Sequence, residues 1–222
     1  MTQSFTVLPR ISNDTRLQLQ SRISLQSTLV QHTFDSAVDV LRESRRRLLP
    51  GILETAHLLV HCFAAGNKVL VCGNGGSAAD AQHFAAELVG RFKSPRRAGL
   101  PVIALTSDSA ILTAWANDIG YELVFSRQVE ALGQAGDVLI VISTSGRSMN
   151  IVQAVDAARR QQMRSIALLG RDGGEVLPLS DTALVVPSGD SQRIQEVQML
   201  VLHVICELVE EQIELVGSSL FA

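Results

Sequence analysis

The spacing of apolar positions changes along the chain, and each change marks an element. From Ile23 to Leu49 they recur at helical intervals, through Leu25, Leu29, Phe34, Val38 and Leu41, as far as Pro50. Proline lacks the backbone donor and crowds the preceding turn, so the pattern predicts a break there and a second helix over 52–65, stopped by Gly66. Residues 1–19 mix polar side chains with Pro9 and hold no period, which predicts a mobile N-terminal arm. At Lys68 the pattern becomes a short continuous apolar run to Cys72, read as a buried strand, followed by Gly73-Asn74-Gly75-Gly76-Ser77 and a helix over 78–91. Further strands are expected at 100–106, 137–142, 164–169 and 182–186. Helix is expected within 111–131 and over 149–162, with a Ser/Gly loop at 143–148 between strand and helix.

The last element is a long helix over 191–216. Its apolar positions Ile194, Val197, Val201, Val204 and Leu208 alternate three and four apart, the spacing of a helix-packing seam. Alternating strands and helices predict an α/β fold: a doubly wound, three-layer sandwich around a parallel sheet of about five strands, with extra N-terminal helices and the long C-terminal helix. The chain divides into the arm at 1–19, one domain with a helical extension at 20–216, and a tail at 217–222. In such sheets ligands sit beyond the carboxyl ends of the strands, where both Ser/Gly loops fall.

Composition sharpens this. Hydrophobic residues make up 46% of the 222 and aromatics only 4%, so the core is aliphatic, as helix-covered parallel sheets are. A net charge of −3 disfavours direct nucleic-acid binding, and the basic run Arg45-Arg46-Arg47 beside Glu43 reads as a solvated helix face. Cys62, Cys72 and Cys206 lie far apart in apolar segments and form no CxxC pair, which suits small buried hydrophobes in a reducing cytosol. No apolar run reaches membrane-spanning length and the N-terminus lacks a signal-peptide core, so a cytoplasmic protein without membrane contact is expected.

Both loops imply an anion. After Cys72 the glycines permit a tight turn, and the following helix points its free N–H groups at whatever fills it. The run from Gly73 to Ala78 also meets a loose dinucleotide pattern, but Thr106 stands where the acidic ribose partner is needed, so no nucleotide cofactor is expected. Ser143-Thr144-Ser145-Gly146-Arg147-Ser148 places four hydroxyls and a guanidinium at a helix start, either as a phosphate cradle or as a hydroxyl-rich turn with Ser148 as N-cap. On the helix after the first loop, His83 and Glu87 are four apart and share a face with Asp80. They read as a solvated stripe or as a site. His203, on a helix apolar almost all round, reads as a satisfied core residue or as a catalyst.

The run VLVCGNGGSAADAQHFAAELVGRF, with TSDSAILTAWANDIG, STSGRS and RIQEVQMLVLH in order, resembles the SIS family of phosphosugar isomerases and sensors, its phosphoheptose isomerases in particular. The resemblance spans about 37–214. It implies phosphate on Ser143, Thr144, Ser145 and Ser148, and sugar contacts from Asn74, Ser77 and Asp108. It also implicates Gly75, Gly76, Asn117, Asp118 and Gln195 in substrate binding. Glu87 would be the catalytic base and His203 its acid partner. His83, Glu87, Gln195 and His203 match the zinc ligands of some members, one ion per subunit. Arg147, Gln192 and Gln198 depart from the asparagine, aspartate and histidine common at those positions.

Implied with these is isomerisation of sedoheptulose 7-phosphate to D-glycero-D-manno-heptose 7-phosphate, in heptose supply for the bacterial envelope. Such chemistry needs a base that moves a proton between adjacent carbons and a group that polarises the carbonyl. Two other readings remain: a non-catalytic relative that binds the replication initiator DnaA, and a phosphosugar-sensing module. Apolar faces on the terminal helices exceed what one sheet covers, which predicts a homo-oligomer, read as a tetramer. The resemblance adds that active sites of the family lie between subunits.

Overall fold

The computed structural model describes residues 13–95 and 97–220. These form six α-helices and five strands: α1 Asn13–Ala64, β1 Val69–Gly73, α2 Gly76–Val89, β2 Val102–Ala104, α3 Ser109–Asp118, α4 Val124–Leu132, β3 Val138–Ser143, α5 Met149–Arg160, β4 Arg164–Gly170, β5 Thr182–Val186 and α6 Ser191–Leu220. The chain divides into two compact units, residues 1–39 and 40–222. In the first, α1 presents Ile23, Leu29 and Phe34 to the outside. All the chemistry discussed below lies in the second.

All five strands are parallel, in the order β2-β1-β3-β4-β5. Strand side chains alternate between faces. Val69 and Val71 of β1, with Ile140 of β3 and Leu168 of β4, enter a core shared with α1, α2 and α6. Leu70, Cys72, Val141 and Leu169 enter a second core against α4 and α5. The sheet is thus buried on both sides, as its unbroken aliphatic strands require, and the three-layer α/β expectation holds. Because β2 and β3 flank β1 on opposite sides, the chain reverses direction across the sheet between β1 and β3, opening a crevice beyond their carboxyl ends. Gly73 and Ser143, which end those strands, lead directly into the two Ser/Gly loops.

Several expected boundaries are corrected. The helix does not break at Pro50: α1 is continuous from Asn13 to Ala64 with Pro50 inside it. A proline inside a helix costs about 3 kcal/mol, yet Leu48 before it and Ala56, Leu59 and Val60 after it are all buried in the same core and outweigh that cost. Gly51 supplies the clearance, since a Cβ there would come within 2.5 Å of Leu184 Cδ2 on β5. Helix α1 also reaches into the expected arm, beginning at Asn13, while residues 1–12 lie outside the described residues. At the other end α6 continues to Leu220, past the expected start of the tail. The helical stretch expected within 111–131 is two helices, parted by a short 3-10 turn after Gly120, whose φ of 150° ends the first.

Candidate active site

The first loop is shaped by what its backbone must avoid. A Cβ on Gly73 would stand 2.6 Å from the carbonyl oxygen of Ser77, so the strand can enter the turn only with glycine there. Gly75 follows at φ 57°, the left-handed region, and α2 starts at once with its first-turn N–H groups facing the crevice. Asn74 is fixed across the crevice. Its amide and that of Asn150, in the first turn of α5, exchange two hydrogen bonds of 2.9 Å, and the Tyr121 hydroxyl donates to Asn74 Oδ1 at 3.2 Å. One amide pair therefore joins the two loops.

In the second loop, Ser143 Oγ accepts the Gly146 N–H at 3.0 Å and Ser145 Oγ accepts the Arg147 N–H at 3.2 Å. Each hydroxyl keeps its own proton to donate elsewhere. Ser148 stands at the N-cap position of α5 without a side-chain capping bond among the described residues, so the bland role for its hydroxyl is not taken up. Gly146 has φ 62°, and a Cβ on it would overlap the Gly173 carbonyl oxygen at 1.9 Å; the turn after β4 is packed backbone to backbone against this loop. Arg147 forks onto Asp172 in that turn at 2.9 and 2.6 Å and touches the Ser145 carbonyl. The guanidinium, helped by the Gly174 N–H, holds the Asp172 carboxyl far below the usual carboxylate range.

A third group of side chains gathers where α2 and α6 run side by side. His83 Nε2 lies 2.8 Å from His203 Nε2 and 3.3 Å from Glu87 Oε1. Ligand atoms of His83, Glu87 and His203 all fall within 4.8 Å of one another. The two imidazoles meet edge to face, and the Phe92 ring stacks on His203 with centroids 5.7 Å apart. One turn back, Asp80 has a buried Oδ2 without a partner among the described residues, and burial raises its pKa against the pull of His83. Glu87 is eleven residues beyond Gly76, about 16 Å along α2 at 1.5 Å per residue. Gln195 belongs to the other end: its Nε2 would be 2.7 Å from a Cβ on Gly76, and His203 lies eight residues, about 12 Å, farther along α6. One chain thus carries two hydroxyl- and glycine-rich loops at the strand ends and a His-Glu-His cluster farther along α2 and α6.

Residues 32–170 match the family model described as the SIS domain. Phosphoheptose isomerases align over nearly their whole length: that of Helicobacter pylori strain P12 is 50% identical over 182 residues, 82% of this chain and 94% of that protein. That of Pelobacter propionicus is 57% identical over 166 residues, 75% of this chain and 87% of its own. The chain belongs to the SIS-domain family of phosphoheptose isomerases. Solved structures agree. Phosphoheptose isomerase GmhA from Neisseria gonorrhoeae superposes with a TM-score of 0.79 at 44% identity, covering 84% of this chain and 99% of that one. The phosphoheptose isomerase from Francisella tularensis gives 0.81 at 40%, covering 85% and 98%.

As a member of the phosphoheptose isomerases the chain is a sugar-phosphate isomerase, and its departures from the family pattern can be placed. Gln198 is buried and donates to the Leu168 carbonyl of β4, so it affects packing of α6 on the sheet. Gln192 is exposed, its backbone N–H bound by Asp190. Asp108 is exposed and caps α3 through the Ile111 N–H at 2.9 Å, while Asn117 and Asp118 bond each other at the end of that helix. Sequence reasoning missed Asn150, Tyr121, Phe92 and Asp172. Of these only Asn150 left a local signal, as a polar residue one turn ahead of the buried Ala154. All three cysteines are buried, as expected, and burial pushes Cys206 up to about 12.

Proposed function

We propose that this phosphoheptose isomerase interconverts sedoheptulose 7-phosphate and D-glycero-D-manno-heptose 7-phosphate through Glu87 and His203. The observation that carries the assignment is the meeting of a carboxylate and two imidazoles where α2 and α6 run side by side. Glu87 takes a proton from C1 of the ketose. The electron pair left behind forms the C1–C2 double bond while the carbonyl π pair takes a proton from His203 at O2, giving an enediol. His203 then accepts the proton from O1, and Glu87 returns its proton to C2. Ser143, Thr144, Ser145 and Ser148 hold the phosphate oxygens, with the N-terminus of α5 behind them. Asn74, Gly75, Gly76, Ser77, Asp108, Asn117, Asp118 and Gln195 line the sugar.

Two imidazoles and a carboxylate are a donor set suited to zinc, and their convergence fits such an ion. His83, Glu87 and His203 would hold it, while Gln195, the fourth ligand that the family resemblance implies, stands beside Gly76, about 12 Å along α6 from His203. A bound ion would supply Lewis acidity toward the carbonyl oxygen. The proton transfers described above are those of Glu87 and His203 with these side-chain atoms free of the ion.

An active site shared between subunits, as the family resemblance implies, is part of this reading: the cradle of one chain works with the acid–base cluster of another, in a homotetramer. Exposed apolar side chains on α1 and α6 support such assembly. Three buried free cysteines suit a cytoplasmic setting.

The test follows aldose formation from sedoheptulose 7-phosphate. Glu87→Gln should lower kcat by about 10²–10⁴ while circular dichroism and phosphate binding stay unchanged. An active Glu87→Gln variant would remove Glu87 from the mechanism. In the same assay a chelator should silence the wild type, and added zinc restore it, if metal polarises the carbonyl; activity that survives chelation assigns that task to His203 alone.

A further inference from the structure

Beyond the last turn of α2 lies an ion pair withdrawn from solvent. The Arg97 and Glu210 side chains are 1% and 5% exposed, with Arg97 Nε 2.9 Å from Glu210 Oε1. Neither uses its partner alone. Glu210 also accepts the backbone N–H groups of Phe92, Lys93 and Ser94 at 3.1, 2.8 and 3.0 Å. The remaining nitrogens of Arg97 reach the carbonyls of Glu87 at 3.0 Å, Leu88 at 2.8 Å and Ala98 at 2.6 Å. Glu87 and Leu88 are among the last four residues of α2, whose carbonyls have no partner within the helix. Arg97 therefore caps α2 at the residue that bears the catalytic carboxylate. Glu210 sits seven residues after His203 on the same face of α6 and pins the segment whose Phe92 ring stacks on that histidine.

We infer that Arg97–Glu210 is a positioning pair for the isomerisation: it holds Glu87 through its backbone carbonyl and His203 through Phe92, and so fixes the distance between base and acid. This rests on the acid–base roles proposed above. Helices α2 and α6 carry the two halves of the proton-transfer unit, and nothing covalent joins them. Besides their shared apolar core, polar contacts tie them at Gln195 on Gly76, His203 on His83, and Glu210 on the segment after α2. At the last of these the Lys93–Glu207 ion pair is exposed, whereas Arg97–Glu210 is a buried fork able to resist both sliding and rotation. Proton transfer is sensitive to such movement, since a misplacement of about 1 Å can cost on the order of 100-fold in rate. The phosphate cradle follows β3, on the far side of the crevice, and is not touched by the pair.

The separation of cradle from clamp sets the experiment. Arg97→Lys keeps the charge beside Glu210 but cannot fork onto the Glu87 and Leu88 carbonyls. In the full-length protein its kcat should fall about 10- to 100-fold, with KM for sedoheptulose 7-phosphate and the affinity for inorganic phosphate unchanged. Phe92→Leu leaves the ion pair intact, removes the ring from His203 and should show the same split; it decides the matter if Arg97→Lys does not fold. Wild-type kcat in the folded variant overturns the inference. So does a loss in which KM and phosphate affinity worsen together with kcat, because that marks general loosening of the fold. Glu87→Gln measured alongside separates the two failures: if it stays active the acid–base roles fall, and if it is inactive while Arg97→Lys is fully active only the positioning role falls.

Discussion

Ser143 and Ser145 shape their loop with the same hydroxyls that the proposed function assigns to phosphate. Each hydroxyl oxygen accepts a backbone N–H that shapes the turn, and each hydroxyl keeps its own proton to donate. A phosphate oxygen there would gain a charge-assisted bond, worth roughly 1.5–3 kcal/mol. Ser145→Ala should therefore raise the dissociation constant for inorganic phosphate and KM for the sugar phosphate together, by about 10- to 100-fold, with kcat at saturation little changed. Isothermal titration and steady-state kinetics would check this; unchanged binding would place the phosphate elsewhere. Arg147 departs from the family's asparagine, and the structure ties its side chain to Asp172. The departure thus adds a second bond between the cradle and the turn after β4.

The elements that the sequence made legible are those governed by local pattern. Strand β5 falls where expected, at Thr182–Val186, because alternation and flanking polar residues define it without outside help. Strand β2 is only Val102–Ala104, shorter than the run from Leu100 to Thr106, since it lies at the sheet's edge and pairs on one side. Pro50 misled because a local penalty was set against tertiary burial on both sides of it, which no local pattern records. The site divides in the same way. Both Ser/Gly loops fall at strand ends, as glycine and hydroxyl spacing predicts, whereas the approach of His83 to His203 joins residues 120 positions apart and became an expectation only through family resemblance. Arg97 and Glu210, 113 positions apart, gave no signal at all.

That ion pair also links the α2–α6 contact to pH. Burial alone would raise the Glu210 pKa, but the Arg97 bond and the N–H groups of Ser94, Lys93 and Phe92 together outweigh it and hold it below the usual carboxylate range. Because the folded value is depressed, the stabilisation is fully present above the unfolded value of about 4.3 and is lost as pH falls through the folded value. Glu210→Gln, which leaves Arg97 buried without its counter-charge, should cost roughly 3 kcal/mol at neutral pH. The difference in urea midpoint between variant and wild type, at one fixed protein concentration, should shrink as pH is lowered below about 4.3. A gap that stays constant with pH would mean that Glu210 does not titrate differently in the folded protein.

At the level of the whole molecule, exposed apolar surface points to assembly. Helix α1 exposes Ile23, Leu29, Phe34 and Val38. In the second unit Leu48, Ile52, Leu53, Leu200 and Val204 line an apolar groove between α1 and α6 of about 300 Å³. Surfaces of this kind are normally covered by a partner, and a symmetric homo-oligomer covers them with copies of themselves. If the cradle of one subunit works with the Glu87–His203 cluster of another, two inactive variants should complement each other. Ser145→Asp places a negative charge in the cradle but leaves the cluster whole, while Glu87→Gln does the reverse. Mixed, unfolded and refolded together, they should regain activity at about a quarter of the sites, those that combine an intact cradle with an intact cluster. Light scattering on the mixture should give the tetramer's mass. Were each site built from one chain, no mixed oligomer could contain an intact one, and the mixture would stay as inactive as its components.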